Sequence, residues 1–318
     1  VIALETIIHA DWSVAVQKRW QARATRESGV WTLHPPVRGL EAADLLRTSR
    51  AGRLIAGFDF PIGVPAFYGR QTGFRDFPTL LDALGKDDWA AFLCVAAESN
   101  EISVKRPFYP HRPGGRRQED LIRALGAERM DDLRRCCDRA TDERPAAPLF
   151  WTLGANQVGK AALDGWMRVI LPARRAGAAL WPYDRGTEML EPPFILAETY
   201  PAEAMRRLKV MPEGRFSKRR QADRATVAAR VSGWAERLGA RLSPELLNAL
   251  NQGFGADKAA EDRFDAVVGL CGMIDLVERK GRAEVPALDD VHLWEGWIFG
   301  RSLSLAPAHA GVAGECVY

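Results

Sequence analysis

The chain reads as an α/β protein. Its expected core is a mixed β-sheet, a three-stranded antiparallel meander extended by parallel strands, flanked by helices and carrying a large helical insertion. Three observations lead there. The first 65 residues run strand, strand, strand, helix, strand. A second wholly apolar strand pattern, Phe194-Ile-Leu-Ala197, comes much later in the chain. After it lies a long apolar helix pattern that could only bury itself against such a sheet.

Taken in order, ETIIHADWSV (5–14) is apolar and β-branched. VQKRWQARA (16–24) and GVWTLHPP (29–36) alternate apolar with polar residues, the mark of half-exposed antiparallel strands. GLEAADLLRTSRAG (39–52) spaces Leu40, Ala43 and Leu46 on one helical face and stops at Gly52. LIAGF (54–58) is an uncharged, buried-strand run, closed by Asp59 and a Pro61-x-Gly63-x-Pro65 turn. Residues 66–190 read as a mainly helical insertion, with helices over roughly 76–99, 117–139 and 156–171 between Pro/Gly/Arg-rich loops such as KRPFYPHRPGGRR (105–117). PPFILAETYPAEA (192–204) returns to a buried strand, followed by helices at about 202–209, 219–239 and 243–251. DKAAEDRFDAVVGLCGMIDLVERKG (257–281) is the long helix, closing at Gly281. The core is therefore assigned to 1–65 and 191–300, the insertion to 66–190 and a C-terminal tail to 301–318.

Composition narrows the function. With 318 residues, 47% hydrophobic and 27% charged, the chain is an ordinary globular protein rather than a disordered or fibrous one. No apolar run approaches the ~18 residues a membrane span needs, so no membrane partner is expected. The start of the chain has neither a basic n-region nor a cleavage site, so no signal peptide is expected. The five cysteines are scattered without a C-x-x-C, which fits a reducing cytoplasm and argues against zinc. The net charge of +3 selects no partner. Its distribution is more telling, because Lys105-Arg106, Arg116-Arg117, Arg174-Arg175, Arg206-Arg207 and Lys218-Arg219-Arg220 form basic clusters in the middle of the chain. Gathered on one face they would attract a polyanion; taken singly, each is better read as a solvated helix face.

The chemistry sits in the acids. Asp11 follows TIIHA, Asp59 follows LIAGF and Glu198 follows FILA, so three apolar strands end in carboxylates. Ligands collect at strand ends in open α/β sheets. Asp262 and Asp265 stand i, i+3 on the long helix and so share a face. Clustered carboxylates repel, and hard divalent ions such as Mg²⁺ or Mn²⁺ accept oxygen ligands of this kind. One ion, or two about 3.5–4 Å apart, would suit hydrolysis of a phosphodiester. Any one of these acids alone is better explained as a helix cap or an ion-pair partner.

GFDFPIGVP, LGANQVGKAAL, AETYPAEA, RFDAVVGL and EGWIFG, in that order, resemble the domain-of-unknown-function 429 family of predicted RNase H-like nucleases. EDRFDAVVGLCGM is similar to the terminal acidic helix of RuvC-type nucleases, in which a D-x-x-D-A pattern supplies metal ligands. The resemblance implies an RNase H-like fold and a metal-dependent nuclease, with Asp11, Asp59, Glu198 and Asp265 as catalytic and metal-ligating residues and Asp262 as a further ligand. RNase H enzymes proper also carry a Glu on their first helix, where Glu41 is the nearby candidate. The substrate would be a nucleic acid or another phosphoester, held by Lys105, Arg106, His111, Lys218 and Arg219. Asn156, Gln157 and Lys160, heading a helix, would add phosphate contacts through side chains and N-terminal amides.

Two alternatives stay open. The same fold could serve as a non-catalytic binding scaffold, its acids purely structural. GANQVGKA (154–161) also matches a phosphate-binding loop, although Ala161 stands where such a loop needs Ser or Thr for Mg²⁺. That reading makes Gly154–Lys160 the site of a nucleotide-binding phosphatase.

Overall fold

The computed structural model describes residues 4–139, 146–153, 158–184, 193–212, 214–278 and 284–302. Among them eight strands form one mixed sheet. They are β1 (Thr6–Asp11), β2 (Trp20–Glu27), β3 (Val30–Leu33), β4 (Val37–Arg38), β5 (Leu54–Phe58), β6 (Ala179–Leu180), β7 (Phe194–Glu198) and β8 (Arg241–Leu242). The order across the sheet is β6-β7-β5-β1-β2-β3-β8, with β4 on β2. β1, β2 and β3 are an antiparallel meander, while β5, β7 and β6 extend the free edge of β1 in parallel. The strand-strand-strand-helix-strand reading of the first 65 residues matches β1, β2, β3, helix α1 (Ala42–Ala51) and β5, but misses the two-residue β4 between β3 and α1.

All five residues of β5 and of β7 are buried, as are the four middle residues of β1. Apolar runs of this kind are what a sheet covered on both faces requires, and each large side chain so buried contributes roughly 1.5–3 kcal/mol. α1 covers one face, where Arg23 of β2 reaches the Thr48 hydroxyl at 3.0 Å. The long helix α3 (Ala260–Glu278), preceded by α2 (Pro201–Leu208), covers the other. Two glycines let α3 press close. A Cβ on Gly57 of β5 would stand 2.5 Å from the Met273 sulfur, and one on Gly269 of α3 would stand 2.2 Å from the His9 ring.

The chain divides into two units. The first gathers the described residues of 1–60, 163–283 and 298–300 and contains the whole sheet. The second gathers those of 61–162, 284–297 and 301–318. Residues 163–180, placed by the sequence in the insertion, thus cluster with the sheet and supply its edge strand β6.

The second unit is less regular than the three long helices expected over 76–99, 117–139 and 156–171. Its first helix, Phe77–Ala83, stops before Gly85, which takes a left-handed φ of 78°, and continues only as the 3₁₀ turns Asp87–Leu93 and Ser99–Glu101. Gln118–Ala124 ends before left-handed Gly126 in the same way. The third pattern, of which residues from Leu163 on belong to the first unit, holds over Val158–Arg175, interrupted by a π-turn at Trp166–Ile170 just before Pro172, whose missing N–H could not close a regular α-turn. Tyr68, Phe92, Phe108 and Phe150 pack ring on ring as the aromatic core of this unit, with centroids 4.6–6.5 Å apart. Gly281, the expected stop of α3, lies outside the described residues. No described helix is long and apolar enough to cross a membrane.

Candidate functional site

Strand register decides which acids meet. Ala10 of β1 lies opposite Phe58 of β5, and Phe58 opposite Glu198 of β7. The next row is therefore Asp11, Asp59 and Thr199. Side chains in register across parallel strands share a face, and successive residues alternate. Asp11 and Asp59 thus follow His9 and Gly57 on the α3 face. Trp12, Phe58 and Phe60, packed against one another with centroids 5.2–6.0 Å apart, hold the opposite face.

Asp11 and Asp59 are half-buried and close enough to share a hydrogen-bonded proton. The backbone N–H of Trp12 donates to Asp59 Oδ1 at 2.7 Å. Asp265 arrives from the second turn of α3, and its charge, with that of Asp262, is felt at Asp11. The helix is located by His9. Its Nδ1 bonds the Ala266 carbonyl at 3.1 Å, and burial pushes the imidazole down to about 3, so it stays neutral as the donor.

The electrostatics follow from crowding. Withdrawal from water, and then the charges of Asp59, Asp265 and Asp262, hold Asp11 well above the usual carboxylate range. Withdrawal from water pushes Asp59 up to about 7 against the stabilising Trp12 N–H. Asp265, buried at 8% exposure, is raised by burial although Lys218 opposes the shift. Asp262 is raised by partial burial and by neighbouring Glu261. Lys218 Nζ donates to Asp265 Oδ2 and stands 3.3 Å from Glu261 Oε1. Burial alone would lower Lys218, but Asp265 and then Glu261 outweigh it and raise it.

A braced wall flanks Asp11. The Trp12 indole donates to Asp164 at 3.0 Å, and the guanidinium of buried Arg19 lies 4.2 Å from the Trp12 ring centre while also pairing with Asp164. Glu41 caps α1 in a capping box with Asp44 and stands 3.8 Å from Arg19, so its task is helix initiation.

Glu198 does not join the cluster. One residue out of phase, it lies in register with Phe58, on the face away from Asp11 and Asp59, and its backbone carbonyl accepts from Phe299 N–H at 2.8 Å. Thr199 takes the place beside Asp59; it is 4% exposed, and its hydroxyl has no hydrogen-bond partner among the described residues. Thr199, His9 and Trp12 are members of this neighbourhood that motif reading passes over. Register counting would have found Thr199, since TIIHA and LIAGF each have five residues before their acid and FILA has only four.

The expected phosphate contacts divide between the two units. Lys105 pairs with Asp88 at 2.6 Å, and Arg106 pairs with Glu101 at 3.1 Å while donating to the Val95 carbonyl at 3.1 Å. His111 is exposed, and its backbone N–H ties to Ala96. Lys160 is half-buried on Val158–Gly165. These four belong to the second unit, the acids to the first. Arg219 is exposed beside Lys218. Asn156 and Gln157 lie outside the described residues, and Gly159, the second glycine of the phosphate-loop pattern, is demanded by packing, since a Cβ there would stand 2.1 Å from the Leu149 carbonyl oxygen.

Asp11, Asp59 and Asp265 are the hard oxygen donors a divalent ion prefers. As they stand, the Asp11–Asp59 hydrogen bond and the Lys218 ammonium take up part of their bonding capacity. Among the described residues no group of three or more acids, histidines or cysteines is placed to hold a metal ion. An ion would have to displace both. The chain matches no family model, no curated protein and no solved structure.

Proposed function

We propose that the protein is a divalent-metal-dependent phosphodiesterase acting on nucleic acid, built on an RNase H-like sheet. The observation that carries this reading is the convergence of Asp11, Asp59 and Asp265 from two neighbouring strand ends and a helix onto one half-open place. The central β1, antiparallel to a meander on one side and parallel to β5 on the other, supports the same reading. So do the motifs that resemble the predicted-nuclease family.

Asp11, Asp59 and Asp265 would hold Mg²⁺ or Mn²⁺, with Asp262 near enough to join; Glu198, on the other face, is left out of the ligand set. The ion would supply positive charge to a phosphoryl oxygen and lower the pKa of a bound water. The protein's own residues do the positioning. Trp12 N–H fixes one Asp59 oxygen, His9 sets the height of α3 and hence of Asp265, and the Trp12–Arg19–Asp164 wall holds the chain that leaves β1.

The test is cleavage of single- and double-stranded DNA and RNA with Mn²⁺ or Mg²⁺, beside calorimetric Mn²⁺ titration. Wild type should cleave at least one of these and bind Mn²⁺, while Asp11→Asn and Asp265→Asn should do neither. Asparagine variants as active as wild type would sink the proposal. Lys218 on Asp265 favours a second reading, a scaffold whose acids are neutralised by its own lysine; it requires that no Mn²⁺ binding depend on Asp11 or Asp265.

A further inference from the structure

Lys218 is the cation bonded to Asp265, and its geometry separates a fixed part from a movable one. Its backbone is clamped. Arg224, 3% exposed, donates to the Lys218 carbonyl at 2.5 Å and also to the carbonyls of Gly253 at 2.8 Å and Gly255 at 2.7 Å. Ser217 N–H is held by the Asp223 carboxylate at 2.7 Å. From this anchored turn the four-carbon side chain, 44% exposed, reaches to Asp265 and Glu261. The ammonium can therefore swing without unfolding anything, and an ammonium and a divalent ion cannot occupy the same Asp265 oxygen.

We propose that Lys218 is a built-in counter-ion that competes with the divalent cation for Asp265 and yields it when a phosphodiester anion draws the ammonium away. The inference rests on the metal-dependent reading above. Its consequence is thermodynamic coupling: an anion that engages Lys218 tightens the metal, and the metal tightens the anion by the same factor. A site of this design stays weakly loaded until substrate arrives. Lys218 is thus a positioning residue that regulates the acids, where the sequence alone suggested a simple phosphate contact.

The experiment is Mn²⁺ titration calorimetry on the full chain for wild type, Lys218→Gln, Asp265→Asn and, as a control for net charge, exposed Arg215→Gln. Each is run with and without a cleavage-resistant phosphorothioate dinucleotide, and thermal melts confirm folding. Lys218→Gln should bind Mn²⁺ about tenfold tighter than wild type, the size expected for removing a close charged competitor. Arg215→Gln should stay within about twofold. The dinucleotide should tighten Mn²⁺ for wild type and leave Lys218→Gln unchanged. Wild-type Mn²⁺ binding that is no weaker than that of Lys218→Gln, or equal dinucleotide effects in both, overturns the role of Lys218 while the metal site stands. If neither wild type nor Lys218→Gln binds Mn²⁺, the metal reading falls and this inference falls with it.

Discussion

Glu295 in the second unit and the Asp11–Asp59 pair in the first are both carboxylates withdrawn from water, and the protein treats them in opposite ways. Glu295 is 4% exposed. Its two oxygens accept the backbone N–H groups of Ala66 at 3.1 Å and Cys136 at 2.7 Å, and Arg135, paired twice with Asp138, donates to its backbone carbonyl. Every element of that bonding comes from the chain itself. Asp11 and Asp59 are half-open: Asp59 accepts the backbone N–H of Trp12 and its own, while Asp11 is tied to Asp59 by a side-chain hydrogen bond. A carboxylate whose bonding is completed internally ties loops together. One whose bonding is left unfinished at an open edge keeps capacity for a ligand.

The contrast can be broken by substitution. Asp11→Asn should cut metal-dependent cleavage by about 10³-fold or more while the metal-free protein melts no lower than wild type, because a repulsive pair has been relieved. Glu295→Ala should do the reverse, with no change in the first unit's Mn²⁺ binding but a loss of about 3–5 kcal/mol in urea unfolding, since it strips a buried network of its acceptor. If the two variants traded these phenotypes, the distinction drawn here would be wrong.

The pH dependence sharpens the same comparison. Asp59 titrates near 7 when folded against an ordinary value of 3.8, so the folded state keeps a proton that the unfolded chain gives up. Its contribution to metal-free stability is full below about pH 4 and is lost as the pH rises through 7, by roughly 1–4 kcal/mol over that window. Chemical denaturation in EDTA should show this decline for wild type and a flatter profile for Asp59→Asn. A smaller effect is expected from Gly269→Ala, whose new methyl meets the His9 ring. It should cost about 1–3 kcal/mol in denaturant unfolding and weaken Mn²⁺ binding by moving Asp265 off its height.

Much of the first unit was legible in its sequence because its signals are local and periodic. The meander, α1 and β5 each fill a window with one hydrophobic period, and Asp11 and Asp59 sit where two of those windows end. Glu198 misled because a strand's end is easier to see than its phase, and one residue of phase moves a side chain to the other face. The second unit was poorly legible because single residues in left-handed backbone, Gly85 and Gly126, cut helical patterns into short turns. Lys218 could not be read at all as the partner of Asp265. A pairing across 47 positions leaves no mark on spacing, and a basic triplet resembles any solvated surface.

The bond from His9 to the Ala266 carbonyl pins α3 one residue past Asp265. The turn before it, which carries Glu261 and Asp262, lies upstream of that rivet. A bound cation would therefore meet two strand-end carboxylates and Asp265 at a set spacing, with Asp262 one turn nearer the start of the helix. Mg²⁺ and Mn²⁺, which differ in radius, would then be told apart by how well each fits that spacing.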